Sequence, residues 1–341
     1  MKKNQRNKKS KTTKVKDKLK VAFYWAASCG GCEIAILDID EMLLDVVEHI
    51  DVVFWPVALD TKYQDVESLP DKSLDACFFN GAIRTSEQEH MAKLLRSKSK
   101  ILASFGACSV SGGVPGLANL SDRNSIIEEV YIHNNSTANP DRVTPRTRSK
   151  VKEGELFLPE LYDTVKSLAQ VVEVDYYIPG CPPSPGLIIN ALNMMISGKL
   201  PCRGAVLAPD TAVCEECRYE KSEKKIRCIK RIYELEEVED KCFLEQGVIC
   251  LGPVTRGGCE GRCMKGNMPC TGCGGLLPRL QDQGAGMISA LASILGVEEE
   301  EKLSEEDVNR LIDQIKDTVG TFYKYTLPVS IINRKIKRGV E

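Results

Sequence analysis

Leu19-Lys20-Val21-Ala22-Phe23-Tyr24-Trp25-Ala26-Ala27-Ser28-Cys29-Gly30-Gly31-Cys32-Glu33 decides the fold. An apolar run of strand length leads directly into two cysteines separated by two glycines. Glu33–Glu48 then carries apolar residues at helical spacing. Strand, tight turn and helix in that order form the opening unit of a parallel sheet covered by helices. Further along, Asp51–Val57, Asp75–Asn80, Lys100–Phe105 and Val171–Ile178 read as strands, and Ser86–Ser97, Asn124–His133 and Pro185–Ser197 as helices. Pro185 opens the last of these, where a missing N–H costs nothing. Asn134–Lys150 is polar and reads as a loop. The expected class is α/β, a parallel sheet with helices on both faces.

The 341 residues suggest two domains. With 46 basic and 48 acidic residues the net charge is −2, which offers no whole-chain reason to expect a nucleic-acid partner. Fifteen cysteines in so long a chain argue against a secreted disulfide scaffold, which is short and even in its count, and for thiols used as metal ligands. The first twenty residues hold ten Lys or Arg against one acid, Asp17. They contain no Arg-Arg pair and lead into no cleavable apolar segment, so 1–19 reads as a solvated, disordered basic tail. No stretch reaches the ~18 apolar residues of a membrane span, and the chain reads as cytoplasmic.

Three predicted strands end in cysteine: Cys29 and Cys32 after one, Cys108 after another, Cys181 after a third. Ligands of open parallel sheets gather beyond the carboxyl ends of the strands, so these four thiolates should converge there. Tetrahedral sulfur suits zinc or an iron–sulfur cluster. Gly30, Gly31, Gly106 and Gly180 favour the latter, because they let backbone N–H groups approach cluster sulfurs. A lone cysteine is usually a buried thiol; four at strand ends are not well explained that way. They also occupy the crevice where phosphate would go, which argues against a flavin or nucleotide.

After about Asp210 the texture changes. Asp210–Gly275 holds nine cysteines in sixty-six residues and only twelve Val, Ile, Leu or Phe. Such a segment needs ligation to fold, because the free energy of metal binding becomes free energy of folding. The spacings are Cys214-x2-Cys217, Cys242-x7-Cys250, Cys259-x3-Cys263, then Cys263-x6-Cys270 and Cys270-x2-Cys273. Eight thiolates make two sets of four, and spacing alone leaves both iron–sulfur and zinc open. From Gly296 a third texture begins. Ser304-Glu305-Glu306-Asp307 resembles a helix start, and Val308, Leu311, Ile312, Ile315 and Val319 mark one face of a packing helix.

Ser28-Cys29-Gly30-Gly31-Cys32-Glu33, Gly106-Ala107-Cys108 and Pro179-Gly180-Cys181-Pro182-Pro183 resemble the small subunit of nickel–iron hydrogenases. The twenty-kilodalton subunit of respiratory complex I shares that framework, but with adjacent cysteines in its first motif and no second cysteine-rich domain. The resemblance covers roughly Lys20 to Leu295. It implies a flavodoxin-like domain (20–208) and a cysteine-rich domain with little regular structure (209–295), while 296–341 reads from its own pattern as a helical extension. It also implies three [4Fe-4S] clusters: proximal on Cys29, Cys32, Cys108 and Cys181, medial on Cys259, Cys263, Cys270 and Cys273, distal on Cys214, Cys217, Cys242 and Cys250. Cys214 stands where many relatives have His, and Cys263 where many have Pro, so no three-iron centre is implied. Leu244-Glu245-Gln246-Gly247 and Gly252-Pro253-Val254-Thr255-Arg256-Gly257-Gly258-Cys259 are most similar to cytoplasmic hydrogenases of methanogens, F420-non-reducing or F420-reducing. The implied partners are a large subunit holding the Ni-Fe centre and a further redox subunit, an iron–sulfur or flavin protein with heterodisulfide reductase as one candidate link.

Cys77 reads as a small buried residue of a strand, Cys202 has no paired cysteine, and Cys228 is the rival to Cys242. His49, His90 and His133 fall outside the cysteine-rich segment and read as surface or core residues. Glu33 reads either as a proton-path or interface group or as a helix-start carboxylate facing the dipole. Pro182, Pro183 and Pro185 should fix the turn around Cys181; Trp25 and Trp55 read as core. The alternatives to a hydrogenase subunit are a nickel-free complex I-like iron–sulfur subunit and a zinc-stabilised interaction protein.

Overall fold

The computed structural model describes residues 18–222, 226, 228–294 and 305–334. Residues 1–17, most of the expected basic tail, lie outside them, as do Ser304 and the side chains of Val308 and Leu311. Six strands form the central sheet: β1 (Leu19–Trp25), β2 (Ile50–Phe54), β3 (Leu74–Asn80), β4 (Ser99–Phe105), β5 (Tyr176–Ile178) and β6 (Ala205–Val206). Their order is β6-β5-β4-β3-β1-β2, and every neighbouring pair is parallel. This is the flavodoxin order with one strand added at the far edge.

Strands buried on both faces read as continuous apolar runs, and β1 is one: Val21 to Tyr24 are all buried. Alternate residues feed opposite cores. Val21 and Phe23 join Phe78, Phe105 and Ile178 under the helices Gly31–Leu37, Met42–His49 and Pro185–Ser197. Ala22 and Tyr24 join Phe79 and Leu102 under Ser86–Lys98. Cys77 is fully buried in that second core as an apolar filler. Ser86–Lys98 starts at a capping box: Gln88 N–H donates to Thr85 Oγ1, and Thr85 N–H to Gln88 Oε1.

Several expected elements differ. Glu33–Glu48 is two helices, Gly31–Leu37 and Met42–His49, because the chain turns at Asp40, whose φ is +53°; Asp tolerates that region better than most residues. Val171–Ile178 shrinks to β5, since Ser167–Gln170 forms a capped turn and the buried Asp175 carboxylate is taken by Arg96 and the Leu102 N–H. Asp51–Val57 shifts to β2. The polar loop closes into a hairpin of Arg148–Val151 and Gly154–Phe157. Trp25 is not core: it is 40% exposed and lies over Gly30.

The cysteine-rich segment has its own core, around Val213, Phe243, Leu251, Met264 and Met287, built from short turns rather than long elements. The expected single C-terminal face does not persist. The helix Glu305–Asp313 stops, a second begins at Thr318, and Ile312 is 56% exposed. Ile315 and Val319 pack against the cysteine-rich core, and Phe322, Tyr323 and Leu327 are buried in it. The segment then returns to the sheet domain: Tyr325 carbonyl oxygen accepts from Ser111 Oγ (2.7 Å) and Gly113 N–H (3.1 Å).

Candidate metal centres

Three strand ends build the first site. β1 is followed by Gly30, whose φ of +82° turns the chain into the helix that carries Cys32. β4 is followed by Gly106 and Cys108, and β5 by Gly180 and Cys181, whose bond to Pro182 is cis. Two backbone bonds tie these loops together, Gly106 N–H to Ile178 O (2.8 Å) and Ala107 N–H to Gly180 O (2.7 Å). The absent side chains make the room: a Cβ on Gly106 would sit 2.3 Å from Cys32 Sγ, and one on Gly113 2.6 Å from Cys108 Sγ. Burial pushes the Cys32 thiol up, and the neighbouring Cys108, Cys181 and Cys29 add to it. Burial, then Cys181 and Cys29, push Cys108 up to about 12. All four predicted residues are thus in one place, Cys32 and Cys108 buried, Cys29 and Cys181 at the surface.

Glu33 is buried at the first turn of the same helix, and its carboxylate accepts from Trp55 Nε1 and from Asn80 Nδ2 (2.9 Å). Trp55 is accordingly a hydrogen-bonding wall packed on Phe23, with ring centroids 4.8 Å apart.

A second cavity is lined by Cys259, Cys263, Cys270 and Cys273. Pro179, Gly180 and Pro182 form one of its walls, so it adjoins the first site. Burial, then Cys181, Cys259 and Cys263, raise the Cys273 thiol to about 12, while the Cys181 N–H facing its sulfur opposes the rise. Ser184, which caps Pro185–Ser197, donates to Gly258 O (2.8 Å), just before Cys259. Gln283, also buried, donates to Thr255 Oγ1 (3.1 Å) and to Gly272 O (3.0 Å), between Cys270 and Cys273.

The third cavity is lined by Cys214, Cys217, Cys242 and Cys250. Burial raises Cys214 to about 11, with the Lys221 ammonium opposing, and raises Cys250 to about 12, with the N–H groups of Gly252 and Cys270 opposing. Burial also raises Cys242, against the N–H groups of Leu244 and Glu245. A Cβ on Gly252 would lie 3.0 Å from Cys214 Sγ. Cys270 N–H lies 3.2 Å from Cys250 Sγ, so the second and third cavities adjoin as well. Glu216, inside the Cys214–Cys217 pair, accepts from Gly258 N–H (2.5 Å) and ties the two loops together. Cys228 and Cys202 are exposed, and neither lines this cavity.

The donor set fits iron–sulfur clusters. Burial and mutual repulsion disfavour four thiolates around one cavity, and a bound cationic metal removes that penalty, because ligation deprotonates the thiol outright. N–H groups aimed at Cys242, Cys250 and Cys273 suit anionic sulfur. Sequence reasoning missed Gln283, Glu216, Trp55 and the C-terminal Tyr325; a buried Gln or Tyr has no signature apart from the site it serves.

A protein family described as NADH ubiquinone oxidoreductase, 20 Kd subunit, matches residues 29–195 and stops short of the cysteine-rich segment. The iron–sulfur subunit of the F420-non-reducing hydrogenase of Archaeoglobus profundus is 40% identical over 93% of this chain and 99% of its own length. The corresponding subunit of the F420-non-reducing hydrogenase of Methanothermobacter marburgensis is 39% identical over 94% and 98%. Among solved structures, an NAD+-reducing [NiFe]-hydrogenase in the H2-reduced state covers 54% of this chain and 94% of its own, at 27% identity and a TM-score of 0.46.

Proposed function

This chain belongs to the family of F420-non-reducing hydrogenase iron–sulfur subunits, the small subunits of [NiFe] hydrogenases, and on that footing we propose that it carries electrons between a Ni-Fe large subunit and a further redox partner. The observation that carries this reading is the run of three adjoining four-cysteine sites, the second and third of them cavities, linked by Cys181 with Cys273 and by Cys250 with Cys270. Three [4Fe-4S] clusters, one per site, would supply one-electron transfer at low potential. Cys29, Cys32, Cys108 and Cys181 would hold the proximal cluster, Cys259, Cys263, Cys270 and Cys273 the medial one, and Cys214, Cys217, Cys242 and Cys250 the distal one.

The chain's own residues do the rest. Gly106, Gly113 and Gly252 keep room at the sulfurs, and backbone N–H groups point at several of them. Met264 and Phe243 screen the third cavity from water. Exposed Cys29 and Cys181, together with exposed Trp25 on the strand before Cys29 and exposed Ile34 and Leu37 on the helix that carries Cys32, suit the first site to a large-subunit interface. Among the described residues no helix is long and apolar enough to cross a membrane, and a cytoplasmic enzyme is the proposed setting.

The test is metal analysis of the complex isolated anaerobically. The expected result is about one nickel and a little over twelve irons per chain, the content of three four-iron clusters together with the iron of the Ni-Fe centre, and no zinc. Iron without nickel would replace the hydrogenase reading with a complex I-like one. Zinc in place of iron would reduce the cysteines to a structural role.

A further inference from the structure

Lys221 sits on one ligand loop of the third cavity and reaches the other. Its backbone belongs to the Cys242 loop. Cys242 N–H donates to Glu220 O (2.8 Å), Glu220 N–H donates to Asp240 O (3.3 Å), and Ser222 Oγ donates to Glu245 Oε2 (2.7 Å). Its ammonium instead donates to the carbonyl oxygen of Cys214 (2.6 Å), a ligand residue of the facing loop. With its neighbours tied to one loop and its tip to the other, the side chain is held at both ends. Lys221 also lines the cavity itself, and among the described residues that do so it is the only Lys, Arg, Asp or Glu. Acids stand close in sequence, but their carboxylates are turned to backbone N–H groups. Glu215 accepts from Ala212 (3.2 Å), Glu216 from Gly258 and Glu245 from Ser222. Lys241, beside Cys242, does not line the cavity and pairs with Glu239.

We infer that Lys221 raises the reduction potential of the distal centre, its ammonium being held at the cavity wall by the Cys214 carbonyl so that it favours the reduced form. The inference rests on the reading of Cys214, Cys217, Cys242 and Cys250 as the ligands of one cluster. An electron that passes from the medial to the distal centre oxidises the first by one and adds one negative charge to the second. A cation at the wall attracts the more negative state more strongly, and the net charge around a centre is one of the terms that set its potential. The consequence is directional. The outermost centre becomes a better acceptor for electrons arriving from the medial one, at the point where they leave the chain. Lys221 is exposed, so water and salt screen its charge, and the effect is that of a single wall charge.

The experiment is a redox titration of the whole complex, followed by electron paramagnetic resonance, for wild type, Lys221→Gln and Lys241→Gln. Iron content is measured in parallel. Gln removes the charge and keeps an N–H donor. In Lys221→Gln the distal midpoint should fall, giving a several-fold lower ratio of reduced to oxidised distal centre at a fixed ambient potential, with the proximal and medial midpoints unmoved. Lys241→Gln, which removes a charge paired outside the cavity, should leave all three midpoints in place. Should Lys221→Gln lose iron, Nε-acetyl-lysine installed at 221 takes its place, because it keeps the long stem and the N–H and lacks only the charge. An unmoved distal midpoint in a fully loaded variant overturns the inference. An equal fall in Lys241→Gln overturns it too, as a general effect of surface charge. Loss of iron in both charge-free forms does the same, and makes Lys221 a tie between loops. All three results leave the cluster reading intact. Absence of iron in the wild-type complex removes the cluster reading itself.

Discussion

Gly106 is constrained both by its backbone and by a cysteine sulfur. It joins β4 to the Cys108 helix at φ +85°, a region L side chains rarely adopt, and a Cβ there would stand 2.3 Å from Cys32 Sγ. Neither neighbour can give way, because the Gly106 N–H is bonded to Ile178 O and Cys32 is buried in the sheet's core. Gly106→Ala therefore carries two costs, backbone strain of about 1–3 kcal/mol and a displaced ligand. The variant should bind about four fewer irons per chain, one cluster's content, and lose the proximal paramagnetic signal while the other two persist. A full iron complement in Gly106→Ala would show that Cys32 does not ligate in this position. Gly198 and Gly204 also have positive φ, but a Cβ on either would meet nothing within 4 Å. At those two sites substitution costs the backbone term alone.

The strands and the cysteines at their ends are legible in the sequence because each is a local signal. β1, β3 and β4 are continuous apolar runs, and a cysteine beside a glycine at a strand's end stands out wherever it occurs. The helix break at Asp40 is not legible, because a single αL residue leaves the apolar period nearly intact on either side. Nor is the shortening of Val171–Ile178: the Asp175 carboxylate is claimed by Arg96, seventy-nine residues away in sequence. A comparable long-range tie allows a test of the sheet. Asp75, in β3, accepts from Lys20 N–H of β1 (2.8 Å) and pairs with Lys100 Nζ of β4 (2.7 Å). Burial opposes its charge, but the Lys100 ammonium and the Lys20 N–H outweigh it and hold the carboxyl below its ordinary value. A depressed folded pKa contributes stability that is complete above the unfolded value of about 3.9 and lost only as pH falls through the folded one. Asp75→Asn should thus cost about 0.2–1 kcal/mol, the range for exposed pairs. The difference in urea midpoint from wild type should be the same at pH 8 and pH 5. A gap that narrows already between those values would mean that the carboxyl is not depressed and that the three-strand tie is weak.

Across the whole molecule, the two halves are stabilised in different ways. The sheet domain has two apolar cores, one on each face. The cysteine-rich part has a single core made largely of turns, into which cysteines themselves are packed, with Cys250 and Cys270 buried among Phe243, Leu251 and Met264. This core also holds Phe322, Tyr323 and Leu327, so the C-terminal segment is part of it and links it to the sheet domain through Tyr325. That linkage is the least legible feature of the sequence, since nothing local to Phe322–Leu327 marks it as the partner of Ser111, Gly113 and Thr271. If ligation supplies much of the second core's free energy, removing iron under anaerobic conditions should act unevenly. Hydrogen exchange read by mass spectrometry should show protection lost across 210–294 and 318–330 together, while β1, β3 and β4 keep theirs. The C-terminal segment is the diagnostic part, because it contains no cysteine and can respond only through packing. Its protection surviving intact would show that it belongs to the sheet domain alone. Simultaneous loss in β1, β3 and β4 would show that the clusters hold the entire chain together, and that the two apolar cores of the sheet are not sufficient without them.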